Sequence, residues 1–205
     1  MRPKGTGTIG VDLGVKHTAV TFDGVQDKVF DLPGTYDKAQ RAVDRCQRNL
    51  STKVEGSKRY AKAKLKLQCA YAHEAAIRKD FLNKFTTWLV SSFDTIKVDD
   101  FSFKGFVTMQ TVKVDGVRKH KKRKAKAVRK AYSVAPYMLK CMLENKAAER
   151  GNVVIYVPTG TPTTKTCSHC GKEHQVALSE RTYECPYCGF IADRDVNAAI
   201  NVYNY

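Results

Sequence analysis

Four cysteines near the C-terminus, set as Cys167-Ser-His-Cys170 and Cys185-Pro-Tyr-Cys188, are the residues whose spacing speaks most directly of chemistry. Two Cys-x-x-Cys knuckles separated by a short polar segment form the pattern of a tetrahedral Zn²⁺ site. Four thiolates leave no coordination position for water, so a single zinc ion there is expected to be structural. The second knuckle runs straight into Gly189-Phe-Ile-Ala-Asp193-Arg194-Asp195-Val-Asn197-Ala-Ala-Ile, where carboxylates open a helix-like run. Asp193 suits the N-cap of that helix, and the metal ligand is either Asp195 or Asp193. Two further acids end apolar, strand-like runs: Asp12, and Asp99 with Asp100 after it. If Asp12, Asp99 and Asp195 meet, they repel one another unless divalent cations neutralise them. Oxygen ligands of this kind suit Mg²⁺ or Mn²⁺. Two such ions about 4 Å apart would activate water and stabilise the leaving oxygen of a phosphodiester.

The remaining pattern must bring these acids together. Residues 8–13, 17–22 and 25–32 read as three strands of an antiparallel meander, with a turn at Asp23-Gly24 and a stop at Pro33-Gly34. Residues 36–93 are helical in period, broken near 51–57, and read as a hairpin inserted into the sheet. Residues 94–100 form a fourth strand, and 107–116 a small hairpin turning at Asp115-Gly116. The block 118–130 is dense in Lys and Arg and reads as solvated. Residues 132–150 form a helix stopped by Gly151, followed by a fifth strand over 153–157 and a last helix from about 194 to 203. The strand order 3-2-1-4-5 would make the first and fourth strands neighbours and put Asp12 beside Asp99. The boundaries are 1–35 and 94–160 for the sheet (with the basic segment 117–131 in its second part), 36–93 for the hairpin, 161–191 for the zinc module and 192–205 for the final helix.

The chain has 205 residues and a net charge of +16. That length suits one core with a small satellite, and that charge points to a polyanion. The positive charge is spread over several segments instead of one amphipathic helix, which favours nucleic acid over a membrane surface. Lys58, Arg59, Lys62, Lys64, Arg118, Lys119, Lys121, Lys122, Arg123, Lys124 and Arg194 are the candidate nucleic-acid contacts. Cations at the start of a helix oppose its dipole, which phosphates nearby would explain. No apolar run approaches membrane length. A cytoplasmic, nucleoid-associated protein is expected, with Cys46, Cys69 and Cys141 as isolated thiols.

These residues resemble the TnpB (OrfB-type) transposon-associated RuvC nucleases, relatives of the type V CRISPR effectors. Gly10-Val-Asp12-Leu-Gly14 resembles the first RuvC motif, and Val98-Asp99-Asp100-Phe-Ser-Phe-Lys104-Gly105 the second. The stretch from Gly56 through Lys58-Arg59-Tyr60, with His73 and Arg78-Lys-Asp80-Phe81-Leu82, is similar to the helical insertion between them. Lys165 to Asn201, carrying both knuckles and Asp193-Arg194-Asp195, resembles the zinc ribbon and third motif. The resemblance implies an α/β fold of RNase H-like (RuvC) type: a mixed sheet with a helical insertion and a C-terminal four-cysteine zinc ribbon. It implies Mg²⁺-dependent cleavage of DNA, with guide RNA as a further candidate partner. Carried over by position, the catalytic acids are Asp12, Asp99 and Asp195.

Two departures stand out. The family's second motif carries glutamate where this chain has Asp99, which draws the carboxylate back by more than about 1 Å, a shift that reactive geometry tolerates poorly. A wedge and recognition region precedes the first motif in the family, whereas this chain begins at that motif. A protein partner or a dimer is the expected substitute. The rival reading is a nuclease-deficient nucleic-acid-binding protein derived from such an enzyme. A dimeric resolvase acting on branched DNA would share the chemistry. An actin-like ATPase would need glycine-rich phosphate loops that the chain does not show.

Overall fold

A computed structural model describes residues 5–14, 16–99, 110–114, 117–121, 133–177 and 180–205. Its elements run β1 (Thr8–Asp12), β2 (Ala19–Phe22), β3 (Asp27–Phe30), α1 (Gly34–Ser51), α2 (Lys58–Ser92), β4 (Thr95–Asp99), β5 (Gln110–Val114) and β6 (Val117–Lys121). Then follow α3 (Pro136–Arg150), β7 (Val153–Val157), β8 (Thr182–Glu184), β9 (Ile191–Asp193) and α4 (Arg194–Asn204). The chain divides into two compact units, one of Met1–Asp31 with Thr86–Tyr205 and the other of Leu32–Phe85. The last turns of α2 therefore belong with the sheet. Among the described residues, no helix is long and apolar enough to cross a membrane.

The five-stranded sheet has the order β3-β2-β1-β4-β7, the expected 3-2-1-4-5 with β7 as fifth strand. β1 pairs antiparallel with β2 and parallel with β4, and β4 pairs parallel with β7. Two strands are shorter than their apolar runs because polar side chains capture the backbone first. Asp31 joins the His17 ring at 2.8 Å and accepts from the Thr18 N–H at 3.2 Å, so β2 starts only at Ala19. Asp23 accepts from the N–H groups of Val25 and Gln26, both at 2.9 Å, which holds a turn where β3 was expected to begin. In the basic block, Arg118–Lys121 lie on β6. Its backbone pairs antiparallel with β5 from Val114↔Val117 outward, leaving two residues to join the strands.

Register decides which residues share a face. Gly10 of β1 is opposite Lys97 of β4. Two residues further along both strands, on the same face, stand Asp12 and Asp99. That face is covered by α4, which buries Ala198, Ala199 and Val202. The helix lies so close that a Cβ on Gly10 would meet the Ala199 carbonyl oxygen and the Tyr203 nitrogen at 2.5 Å each. Lys97 reaches along the same face and donates to the Tyr203 carbonyl at 2.7 Å, closing the last turn of α4. Phe22 meets the Tyr203 ring edge-on with centroids 5.4 Å apart. Helix α3 buries Leu139, Leu143 and Ala147, one turn apart each. Its Lys146 donates to the hydroxyls of Thr86 and Thr87 at 2.9 and 2.7 Å.

The second unit is a helical hairpin. Ser57 accepts from the Tyr60 N–H at 3.1 Å and so caps α2. Tyr36, Ala39 and Val43 form the buried stripe of α1. Tyr36 donates its phenol proton to Glu74 at 2.6 Å, and burial with that carboxylate pushes the phenol well above its usual range.

Gly10→Ala forces backbone against backbone between β1 and α4. It is expected to lower unfolding free energy by about 2–3 kcal/mol in urea titrations.

Candidate metal centres

The zinc module is built from two equivalent turns. In each knuckle the glycine after the second cysteine adopts a left-handed conformation, Gly171 at φ 74° and Gly189 at φ 73°. Each donates its N–H to the carbonyl of the knuckle's first cysteine, at 2.8 Å for Cys167 and 2.9 Å for Cys185. Those two cysteines in turn donate their own N–H groups to Lys172 and Phe190. The repeated geometry turns all four sulfurs inward, within 4.8 Å of one another. Cys167 and Cys188 are 3.7 Å apart, and Cys170 and Cys185 3.6 Å. Tetrahedral zinc with bonds of about 2.3 Å needs sulfur separations of about 3.8 Å, so the residues fit the ion. Burial raises the Cys185 thiol, but the N–H groups of Tyr187 and Cys188 outweigh it and lower it overall. The Phe190 N–H lowers Cys188, but burial and the surrounding sulfurs together outweigh it and raise the thiol overall. Four such thiols ionise together only around a cation. Tyr183, fully buried beneath them, donates to the Lys165 carbonyl at 3.1 Å.

The second centre lies where β1, β4 and α4 converge. Asp12 is 6% exposed and Asp195 7%, while Asp99 is half-buried. Burial pushes the Asp12 carboxyl well above the usual carboxylate range, and the charges of Asp99 and then Asp195 push it further. Arg194 pulls the other way. Its guanidinium lies 3.3 Å from Asp195 and donates to the Glu180 carbonyl at 3.1 Å, so this residue faces the carboxylates. Asp193 is the N-cap of α4: it accepts the Asp195 N–H at 2.8 Å and pairs with Lys16 at 3.4 Å. Burial raises Asp193, but that N–H bond and Lys16 outweigh it and hold the carboxyl below its usual range. Asp195, buried and electrostatically coupled to Asp12, is thus the acid that α4 brings to the sheet. The positive end of the helix dipole lies beside all three carboxylates. Among the described residues, only the four cysteines bring three or more ligand atoms within 4.8 Å of one another. Asp99 and Asp195 both act on Asp12 through their charge.

Other expected contacts are spread out. Lys58, Arg59, Lys62 and Lys64 are exposed on the first turns of α2, in the hairpin unit. Arg118, Lys119 and Lys121 lie on β6. Lys122, Arg123, Lys124 and Asp100 fall outside the described residues. Reading the sequence gave no role to Asn197, Asn201 or Lys97. The one signal is a pair of asparagines a turn apart within the largely apolar run from Val196 to Tyr203.

Residues 1–110 match the family described as "Probable transposase" (OrfB_IS605), and residues 137–202 match the Cas12f1-like TNB domain. InsQ of Escherichia coli (strain K12), named as a candidate RNA-guided DNA endonuclease, is 31% identical over 197 residues. That alignment covers 95% of this chain and 48% of InsQ. A similarly named protein of Streptomyces pristinaespiralis is 28% identical, over 98% of this chain and 45% of its own length. A TnpB-like protein of Acanthamoeba polyphaga mimivirus, L79, is 29% identical, over 94% and 36%. The chain thus spans about half the length, or less, of these relatives. The cryo-EM structure of a Cas12f1–sgRNA–target DNA complex shares the fold, with a TM-score of 0.63 at 16% identity, over 96% of this chain and 49% of that one.

Because the Asp12 pKa is raised on folding, the metal-free folded protein binds more protons than the unfolded chain between the ordinary carboxylate value and the raised one. Its contribution to stability is full below that window and lost as pH rises through it. Asp12→Asn is therefore expected to raise the Tm of metal-free protein at neutral pH, with a margin that shrinks on acidification toward about pH 4. Differential scanning calorimetry at several pH values checks this. Separately, Cys185→Ser is expected to reduce zinc, measured by elemental analysis, from about one ion per chain to near none.

Proposed function

Since the chain belongs to the TnpB (OrfB-type) family related to the type V CRISPR effectors, we propose that it is a RuvC-type, divalent-cation-dependent DNA endonuclease that takes a guide RNA and acts on intracellular DNA. The observation that carries this reading is the placement of Asp12 and Asp99 at the C-terminal ends of two adjacent parallel strands, with Asp195 at the start of one helix and the charges of Asp99 and Asp195 both acting on the buried Asp12. Crowding acids in a buried place is destabilising by itself and is explained by cations that neutralise them.

In this reading Asp12, Asp99 and Asp195 hold two Mg²⁺ or Mn²⁺ ions. Such ions supply charge to the attacking and leaving oxygens of a phosphodiester. The chain's own residues do the rest. Asp193 fixes the first turn of α4 so that Asp195 keeps its direction. Arg194 offers a permanent positive charge at the rim, suited to a phosphate oxygen. The cations of α2 and β6 hold the nucleic-acid backbone by charge. The zinc ion supports the fold and takes no part in bond cleavage.

A second reading, a nuclease-deficient nucleic-acid-binding protein, is favoured by one observation: Asp99 carries the shorter acidic side chain where the family's second motif has glutamate. Cleavage of a fluorogenic single-stranded DNA with Mn²⁺ separates the two. The wild-type chain is expected to cut, and Asp12→Ala to lose more than about 100-fold, to background. Asp99→Glu is expected to increase the rate. Equal signal from wild type and Asp12→Ala, together with salt-sensitive DNA binding, would establish the binding-only reading. Sequencing of RNA that copurifies with the chain tests guidance, the expected result being one discrete structured species and not random cellular RNA.

A further inference from the structure

We infer that Asn197 couples the two centres: it is a positioning residue through which the zinc loop sets where Asp195 stands. The inference rests on the reading above, in which Asp195 is a cation ligand. Asn197 is completely buried, although it carries a polar carboxamide. Such a group has to satisfy its acceptor and its donor locally. Its Oδ1 accepts from the Ser168 N–H at 2.9 Å, and its Nδ2 donates to the Thr166 carbonyl at 2.8 Å. Ser168 and Thr166 are the two neighbours of Cys167, so one side chain grips the backbone on both sides of the first zinc ligand. Asn201, a turn further along, donates to the Thr166 and Thr163 carbonyls at 2.7 Å each.

Asp195 precedes Asn197 by two residues. In an α-helix that is about 3 Å of rise and about 200° of rotation, so the two side chains leave α4 in nearly opposite directions. One faces Asp12 and Asp99, the other the first knuckle. The opening turn of α4 is thereby fixed from both sides. Repulsion from Asp12 pushes Asp195 away from the sheet, and Asn197 holds against it for as long as residues 166–168 keep their places. Those residues keep their places when the sulfurs on either side of the loop share an ion. Loss of zinc thus releases Asn197, and the first turn of α4 moves Asp195 off the sheet acids. Coupling of this kind is reciprocal: occupancy of either centre tightens the other.

An asparagine that merely satisfied the core would affect thermal stability and nothing more. The full chain, loaded with zinc, distinguishes the two roles by measurements other than cleavage. Mn²⁺ affinity is read by electron paramagnetic resonance, and zinc release is followed with a chromogenic chelator in the presence and absence of Mn²⁺. In the wild type, saturating Mn²⁺ is expected to slow zinc release at least about 5-fold. Asn197→Ala should keep its zinc, lose about 10–100-fold in Mn²⁺ affinity, and release zinc at a rate Mn²⁺ no longer changes. Asn197→Ala that retains zinc and binds Mn²⁺ as tightly as the wild type would overturn the inference. If that variant does not fold, the wild-type measurement decides: zinc release indifferent to Mn²⁺ refutes the coupling. Asp12→Ala keeps the two questions apart. Mn²⁺ bound equally well by Asp12→Ala and wild type means that the carboxylates are not the cation site, and the proposed function fails first.

Discussion

Repulsion of buried Asp12 by Asp99 and Asp195 is the force that the arrangement of α4 has to withstand. Asp195 would relax away from Asp12 and Asp99 if its helix were free to tilt. Four contacts prevent this, each of different origin. The missing Cβ of Gly10 lets the helix backbone settle directly on β1. Lys97 holds the far end of the helix by a carbonyl. Asp193 fixes the near end by capping it, and the asparagines tie one flank to the zinc loop. The dipole of α4 and the guanidinium of Arg194 then lower the electrostatic cost that remains. A sheet that presented its acids to solvent would need none of this, but would also offer less differential binding to a cation.

The four-cysteine loop and the acids thus meet on one helix, although their chemistries do not overlap. The knuckles are rigid because each glycine turns its loop back on a cysteine carbonyl. That rigidity reaches α4 through hydrogen bonds to the backbone, which side-chain substitutions in the loop leave in place. The hairpin unit follows a different logic. Its interior is held by a tyrosine–glutamate bond and its first turns carry unopposed cations, an arrangement suited to a polyanion.

Much of this was legible in the amino-acid order, and the parts that were not share a cause. Cysteine spacing, apolar runs and the acids that end them are local signals, and they suffice for the clustering of the four cysteines, the strand order and the adjacency of Asp12 and Asp99. The choice between Asp193 and Asp195 needed the helix start itself, because either residue can cap. Gly10 read as part of a weak motif, when its role is to admit a helix nearly 190 residues further along the chain. Asn197 and Asn201 belong to the run that resembles the third motif, but their own role is not legible there, because their partners are backbone atoms that carry no mark in the sequence. The second and third strands start later than residues 17 and 25 for the same reason: Asp31 and Asp23 compete for backbone N–H groups.

The contact between β1 and α4 also has a consequence in time. Asp12 is polymerised long before Asp195, and at about 5–20 residues per second the ribosome needs roughly 10–40 s to make what lies between them. During that interval the face of β1 that carries Gly10 lacks the helix that covers it, and the acid pair on the sheet has no third member. The order of synthesis therefore makes assembly of the site the last event in the folding of this unit, and a chain stalled before α4 carries most of the fold without a complete centre.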